Sequence, residues 1–270
     1  MTSRDIHPGS PVPARLSYTY GGMLWYVGRG VPFVAPPEDC DALADWMESS
    51  YPDEYCASAS FDPDFVDSLC WSGFIPMATG EAEGAEYLIP KMHVERSAMD
   101  PSEVVVTRTA RRESARYDFR VDERFSDALD SCVATHGDGW LRPPLVACWK
   151  ELFETRQARR SRIASMELYA CGRLVAGEVG VFVGSCYTSL TGFRSESGAG
   201  TVQLAATARY LESIGARLWD LGMPLDYKAA LGAAVVPRAE FLARFREARA
   251  VDIVRPRGPF PARALIDRRA

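Results

Sequence analysis

Between residues 166 and 221 the spacing of apolar positions changes period twice. Two apolar runs, 166–169 and 174–183, are joined by Cys171-Gly172 and followed by a third run at 186–191, a pattern that predicts a three-stranded antiparallel meander with a tight first turn. After a glycine-bearing turn at 197–200, Val202, Leu204, Ala205, Ala208, Leu211 and Ile214 recur at helical spacing, so a helix is expected over 201–215 with Gly215 at its end. The run at 218–221 is short and bounded by Gly222 and Pro224, which predicts a buried strand carrying Asp220 near its carboxyl end.

Upstream, the pattern is more broken. Aromatic residues over 18–34 interleave with Gly21, Gly22, Gly28 and Gly30, which predicts short strands and tight turns; the glycines are too irregularly spaced for a phosphate-binding loop. A helix is expected over 39–50 with Asp39 or Asp41 as its cap, a strand over 55–61, and a helix over 64–72 entered through Asp62 at the N-cap and Pro63 at the first helical position. Strands are expected at 73–77 and 88–93 around a polar loop at 80–86, with 94–100 as a connector. The domain boundary is therefore set near residue 100, giving a small α+β domain over 1–100 and a larger one over 101–270. In the larger part, 103–109 and 117–121 read as strands, 126–135 and 145–155 as helices, the latter started by Pro143 and Pro144, and 136–140 as a loop. The first 16 residues read as a loosely held arm and those from 254 as an irregular basic tail.

Composition narrows the class. With 270 residues and 47% hydrophobic side chains, the chain can bury a core of about 150 residues plus a smaller lobe. Seven cysteines and three histidines are scattered without C-x-x-C spacing, which fits neither a disulfide framework nor a zinc site. No signal-peptide core is visible and no apolar run approaches about 18 residues, so a soluble, cytoplasmic protein without membrane contact is expected. The net charge of −5 is unevenly spread: residues 1–100 hold 5 Lys/Arg against 16 Asp/Glu (−11), and residues 101–270 hold 26 against 20 (+6). The acidic part repels a phosphate backbone and the other part can accept one.

Antiparallel strands, a helix and then a strand with a polar residue at its carboxyl end is the core order of the GNAT-type N-acyltransferase fold, so the fold class is α/β (α+β) with that core. The stretch 166–238, with GWLRPPLVACWKELFE before it and LGAAVVPRAEFLARF after it, resembles the bacterial leucyl/phenylalanyl-tRNA–protein transferases over roughly residues 55 to 250. The pieces that carry the likeness are L-W-D, L-G-A and P-R-A-E-F-L in that order. The resemblance implies transfer of an aminoacyl group from a tRNA 3′ end to a protein N-terminus or a small-molecule amine, with no metal and no nucleotide cofactor. A coenzyme A-dependent N-acetyltransferase, or a non-catalytic binder of tRNA or of protein N-termini, are the other classes the fold admits.

Asp220 is the first catalytic candidate, because it ends a buried strand where an α/β core opens to ligand, and the family carries an acid implicated in catalysis at this position. Attack of an amine on an activated ester needs orientation, a proton acceptor and oxyanion stabilisation rather than a protein nucleophile. The plain alternative for Asp220 is a cap on the helix after Pro224. Trp140, in a Gly-Asp-Gly-Trp loop, is a candidate for stacking on the terminal adenine, and Glu167 a candidate for holding the donor's amino group. Tyr187, Ser189, Phe193 and Tyr227 complete the pocket that the resemblance implies.

The chain also departs from the family. Gly222 stands where the bacterial enzymes carry Gln, Ser189 or Leu190 where they carry Glu, and Glu178 where a Met shapes the aminoacyl pocket; the run DLGMPLDYK is similar to a D-L-G…Y-K pattern of arginyl-tRNA–protein transferases. Turned inward, Glu178 favours a cationic partner; turned outward, it is a solvated strand residue. The donor residue stays open. Of the arginine clusters, Arg111, Arg112, Arg156, Arg159 and Arg160 are the expected contacts to the RNA acceptor end, with a solvated face as the alternative. At 197–200 the glycine spacing is that of a pyrophosphate loop in imperfect register.

Overall fold

The computed structural model describes residues 16–20, 23–27, 31–80, 84–137 and 139–267, with side chains from residue 31 onward. Residues 1–15 of the arm expected over 1–16, the glycines at 21, 22, 28 and 30, and Arg268 and Arg269 lie outside the described residues; Leu16, the arm's last residue, begins a strand.

Two units alternate along the chain, one made of residues 1–94 and 136–154, the other of 95–135 and 155–270. In the first, β1 (Leu16–Tyr20) pairs antiparallel with β2 (Met23–Val27). Helix α1 (Cys40–Ser50) is capped by Asp39, which accepts from Ala42 N at 3.0 Å. Asp62 caps α2 (Pro63–Trp71), accepting from Asp64 N at 2.9 Å and Phe65 N at 3.1 Å, with Pro63 leading as the sequence predicts. The antiparallel pair β3 (Ile75–Gly80) and β4 (Glu86–Lys91) follows. The strand expected over 55–61 forms only isolated bridges at Tyr55, Ala57 and Ser58.

The second unit opens with β5 (Glu95–Met99), inside the segment expected as a connector. Helix α3 (Arg108–Glu113) then occupies much of the stretch expected as a strand over 103–109. Three consecutive valines mimic a strand there, but Thr107 accepts from Ala110 N at 3.1 Å and starts a helix instead. Next come β6 (Asp118–Val121) and α4 (Phe125–His136); α5 (Pro143–Glu154) belongs to the first unit.

The meander appears as β7 (Arg162–Ala170), β8 (Arg173–Val183) and β9 (Cys186–Arg194), all antiparallel. Cys171 and Gly172 turn it at φ 49° and 76°. Helix α6 (Ala199–Ser213) follows, then β10 (Leu218–Asp220), parallel to β9. This is the acyltransferase core order that the sequence predicts. The chain continues through α7 (Asp226–Leu231), β11 (Ala234–Pro237) and α8 (Arg238–Arg249). The tail expected to be irregular ends in β12 (Phe260–Pro261) and α9 (Ala262–Asp267), whose Ala262, Leu265 and Ile266 are buried. One eight-stranded sheet runs β11-β5-β10-β9-β8-β7-β6-β12. Its α6 face buries Met166, Phe182, Tyr187 and Trp219 among Val202, Ala205 and Ala206 of the helix.

All seven cysteines are described and none is paired in a disulfide; Cys171 alone is exposed. Among the described residues no helix is long and apolar enough to cross a membrane.

Candidate active site

The register sorts the expected site residues onto two faces of the sheet. Glu178 lies opposite Met166 and Gly192, and the next positions, Glu167, Gly177 and Phe193, also face one another. Because successive strand residues point to opposite faces, Glu178 shares the α6 side with Met166, whereas Glu167 and Phe193 lie on the reverse side. A bulge pairs Val179 with Thr191 but Gly180 with Ser189, which puts Ser189 on the Glu178 side. Trp219 confirms this face by donating from Nε1 to Ser189 Oγ at 2.9 Å. Gly180 is required here, because a Cβ would overlap the Tyr187 hydroxyl that lies over it.

Glu178 is 4% exposed, which settles its orientation: it points inward. Its Oε1 has no hydrogen-bond partner among the described residues. Burial pushes its carboxyl up to about 7, while polar groups of Ser189, Gln203 and Tyr187 and the charge of Lys228 pull the other way. Lys228 is also buried; its Nζ donates to Leu221 O and, at 2.8 Å, to Met223 O. Burial lowers its ammonium to about 8 against the opposing pull of Asp220 and Glu178. Tyr227, its neighbour, is 54% exposed, with Lys228 Nζ 5.7 Å from its ring centre.

Asp220 sits on the reverse face at the carboxyl end of β10, fully buried. Arg96 of β5 donates from Nη1 to its Oδ2 at 2.5 Å, Thr188 Oγ1 donates to the same oxygen at 3.0 Å, and Gly222 N donates to Oδ1 at 2.9 Å. The Arg96 guanidinium lies 4.1 Å from the Phe241 ring centre. Asp220 does not cap the following helix. The N-cap of α7 is Leu225, which offers no side-chain oxygen.

Glu167, also fully buried, accepts from Arg124 N at 2.9 Å, Ser165 Oγ at 2.5 Å and Tyr169 Oη at 2.6 Å. Burial raises its carboxyl despite these donors. It thereby holds the start of α4 rather than facing water. Trp140 belongs to the first unit, where it is 4% exposed and packs edge-on against Trp149 at 6.2 Å. Arg111 donates to Ile266 O at 3.2 Å and Arg112 to Glu113 at 2.9 Å, while Arg159 Nε donates to Thr155 Oγ1 at 3.1 Å and Arg156 lies 4.0 Å from Asp122. At 197–200, α6 begins from Gly198, held at φ 80°, without a side-chain cap.

Arg96, Gln203 and Lys228 escaped the sequence reading. Arg96 sits in a polar strand, E-R-S-A-M, 124 residues from its partner. Lys228 carried a local signal, a lysine just after the strand end in the D-Y-K run.

Curated relatives named leucyl/phenylalanyl-tRNA–protein transferase include one from Thiobacillus denitrificans, 34% identical over 56% of this chain and 67% of its own length, and one from Cupriavidus necator, 30% identical over 53% and 56%. Among solved structures, the C-terminal domain of a putative lysylphosphatidylglycerol synthetase from Agrobacterium fabrum matches with a TM-score of 0.35 at 13% identity, covering 78% of this chain and 67% of that one. A tandem GNAT protein from the clavulanic acid biosynthesis pathway matches with 0.33 at 14% identity, covering 83% and 81%. The sequence model of the leucyl/phenylalanyl-tRNA protein transferases matches residues 98–246, more than half of the chain, which therefore belongs to that family.

Proposed function

We propose that this chain is an aminoacyl-tRNA-dependent aminoacyltransferase, moving an amino acid from a tRNA 3′ end to the amine of a protein N-terminus or a small molecule. The family match over residues 98–246 carries this reading, and the acyltransferase core order supports it. The acceptor nitrogen bonds to the ester carbonyl carbon, the bond from that carbon to the ribose oxygen breaks, and the nitrogen's proton passes by way of a protein group to the ribose oxygen. We assign the proton to Glu178. Its carboxyl is poised at about 7 and one of its buried oxygens is unsatisfied, the state in which a general base works best near neutral pH. Ser189, Tyr187 and Tyr227 accompany it; Asp220, with three donors already on its carboxylate, holds the strand end and the Gly222 turn in place. Glu167 and Phe193 support the sheet from behind, and Trp140 the core of the first unit.

Incubation with pools of labelled, charged tRNA and an acceptor peptide tests the reaction: transfer from tRNA is expected, and transfer from acetyl-CoA alone overturns it. Arg111, Arg112, Arg156, Arg159 and Arg160 are proposed to meet the RNA acceptor end. Arg159→Ala with Arg160→Ala should lower tRNA affinity and reduce the slope of log affinity against log salt by about 1–2, one condensed counterion per lost phosphate contact. An unchanged slope makes these two a solvated face.

A further inference from the structure

A cavity of about 270 Å³ opens at the end of the sheet where β7 begins and β8 ends, lined by Arg156, Arg162, Arg255 and Arg257 together with Asp122 and Phe182. Four arginines and one carboxylate are the charged groups of its wall, which leaves a formal excess of three positive charges. Glu178 lies four residues back along β8 from Phe182, about 13 Å at the rise of an extended strand, and Phe182, packed on Tyr187 at 4.6 Å, stands between the cavity and the cluster described above.

The wall is built, not a chance gathering of surface charges. Asp122 is held at φ 56°, a left-handed conformation uncommon outside glycine, and is fixed by Ser165, whose N donates to Asp122 Oδ1 at 3.0 Å and whose O accepts from Asp122 N at 3.1 Å. Arg162 Nη1 donates to Arg156 O and Arg159 O, tying the turn after α5 to the start of β7. Arg255 is half-buried, its guanidinium 5.3 Å from the Phe182 ring centre and its Nη1 donating to Ile253 O at 3.1 Å. The Arg257 carbonyl accepts from Val121 N at 2.9 Å, fixing the segment that brings both arginines in. Repulsion from Arg162 adds to burial in disfavouring the charge of Arg255, so these two cations feel each other across the cavity.

We propose that this cavity binds a phosphate group. Four guanidinium groups of excess positive charge around a space of this size suit a tetrahedral oxyanion, with the nitrogens that are not already bound to the carbonyls of Arg156, Arg159 and Ile253 as its donors. Asp122 supplies an acceptor for a hydroxyl carried by the phosphate or by its attached ribose. Two sources share this chemistry: a backbone phosphate of RNA, or a free phosphate or small phosphorylated molecule. The RNA source rests on the proposed function, since Arg156 on this wall is among the residues assigned to the acceptor end; the free-phosphate source does not.

The test has two arms, run on the full chain and on Arg255→Ala and Arg257→Ala; Arg257 is exposed, so its variant folds even where the Arg255 variant does not. In the first, melting temperature is compared in potassium phosphate and in potassium chloride at matched ionic strength. A phosphate-specific rise in the wild type that shrinks in the variants supports a site for free phosphate. In the second, binding of uncharged tRNA is followed against salt. A loss of about 1 in the log–log slope per arginine removed assigns the site to RNA phosphate. Equal stabilisation of wild type and variants by phosphate is general exclusion from the surface. That result, together with an unchanged tRNA slope, overturns the proposal and leaves the transfer reading untouched, since transfer is measured separately.

Discussion

Asp220 and Glu178 are buried in the same sheet, at 0% and 4% exposure, on opposite faces and on strands separated only by β9. Asp220 meets a guanidinium at 2.5 Å and two further donors. Glu178 has no cation in direct contact among the described residues, an oxygen without a donor, and a carboxyl raised to about 7. Their partners differ. A buried carboxylate bound by an arginine braces structure, whereas burial without such a partner favours the protonated form. The acid at the strand end is thus the conspicuous one in the sequence, and the acid in mid-strand is the one we propose as the base.

The largest effect should come from breaking the braced pair. Asp220→Asn leaves Arg96 charged and buried without its counter-ion, which costs about 3–5 kcal/mol. Denaturant melts at neutral pH should show this loss. A variant as stable as wild type would mean that the Arg96 contact contributes nothing, and the contrast with Glu178 would collapse.

Glu178→Gln should do the opposite for stability at alkaline pH. A carboxyl raised from 4.5 to about 7 in the folded state contributes stability that is fully present below pH 4.5 and is lost as pH rises through about 7. The ionised form therefore costs up to about 3 kcal/mol at pH 8, by 1.4 kcal/mol for each tenfold change in proton affinity. Glutamine cannot ionise, so the variant should melt above wild type at pH 8 and show no such gain at pH 4.5. Its single-turnover transfer rate should fall by roughly 10²-fold, and the rise of rate with pH near 7 should flatten. If that rise persists in the variant, it belongs to the acceptor amine, and Glu178 is not the base.

Thr188→Val offers a milder probe of the braced side. It removes one of the three donors on Asp220 and keeps the shape, so a loss of about 1.5–3 kcal/mol is expected, the scale of a hydrogen bond to a charged group. The rate profile should stay where it is. A change in the profile would mean that Asp220 takes part in proton transfer after all.

These contrasts were only half legible in the chain. Alternation and the Cys171-Gly172 turn reveal the meander, and the 3.6-residue spacing reveals α6, because those signals are local. The E-R-S-A-M strand is invisible to the same reading: it is polar, and it is a strand only because β10 and β11 pair with it from far along the sequence. Asp220 could be placed at a strand end by its neighbours, but the arginine that fixes its role lies 124 residues away. Glu178 left its orientation open because a single acid in an apolar run fits either face; Gly180, which clears the space for Tyr187 over that face, was the clue in plain view. The valines of 104–106 misled for the complementary reason, since β-branched residues favour strands only where a partner strand is present.

The smallest effect tests whether Glu178 senses its distant cation. Lys228 pulls the Glu178 carboxyl down and is itself pulled up by both Glu178 and Asp220, so it is the electrostatic link between the two faces. Lys228→Gln removes the charge while retaining a donor for the carbonyls of Leu221 and Met223, which limits the loss of fold. With the ammonium gone, burial of Glu178 is opposed by less, and the pH at which transfer rises should move upward from about 7. Asp220 also pulls on the lysine, so an Asp220→Asn loss measured in the Lys228→Gln background should be somewhat smaller than in wild type, with Arg96 at 2.5 Å remaining the main partner. Should the rate profile stay fixed while the Asp220 loss changes, the lysine serves the braced side alone, and the poise of Glu178 comes from burial without help from charge.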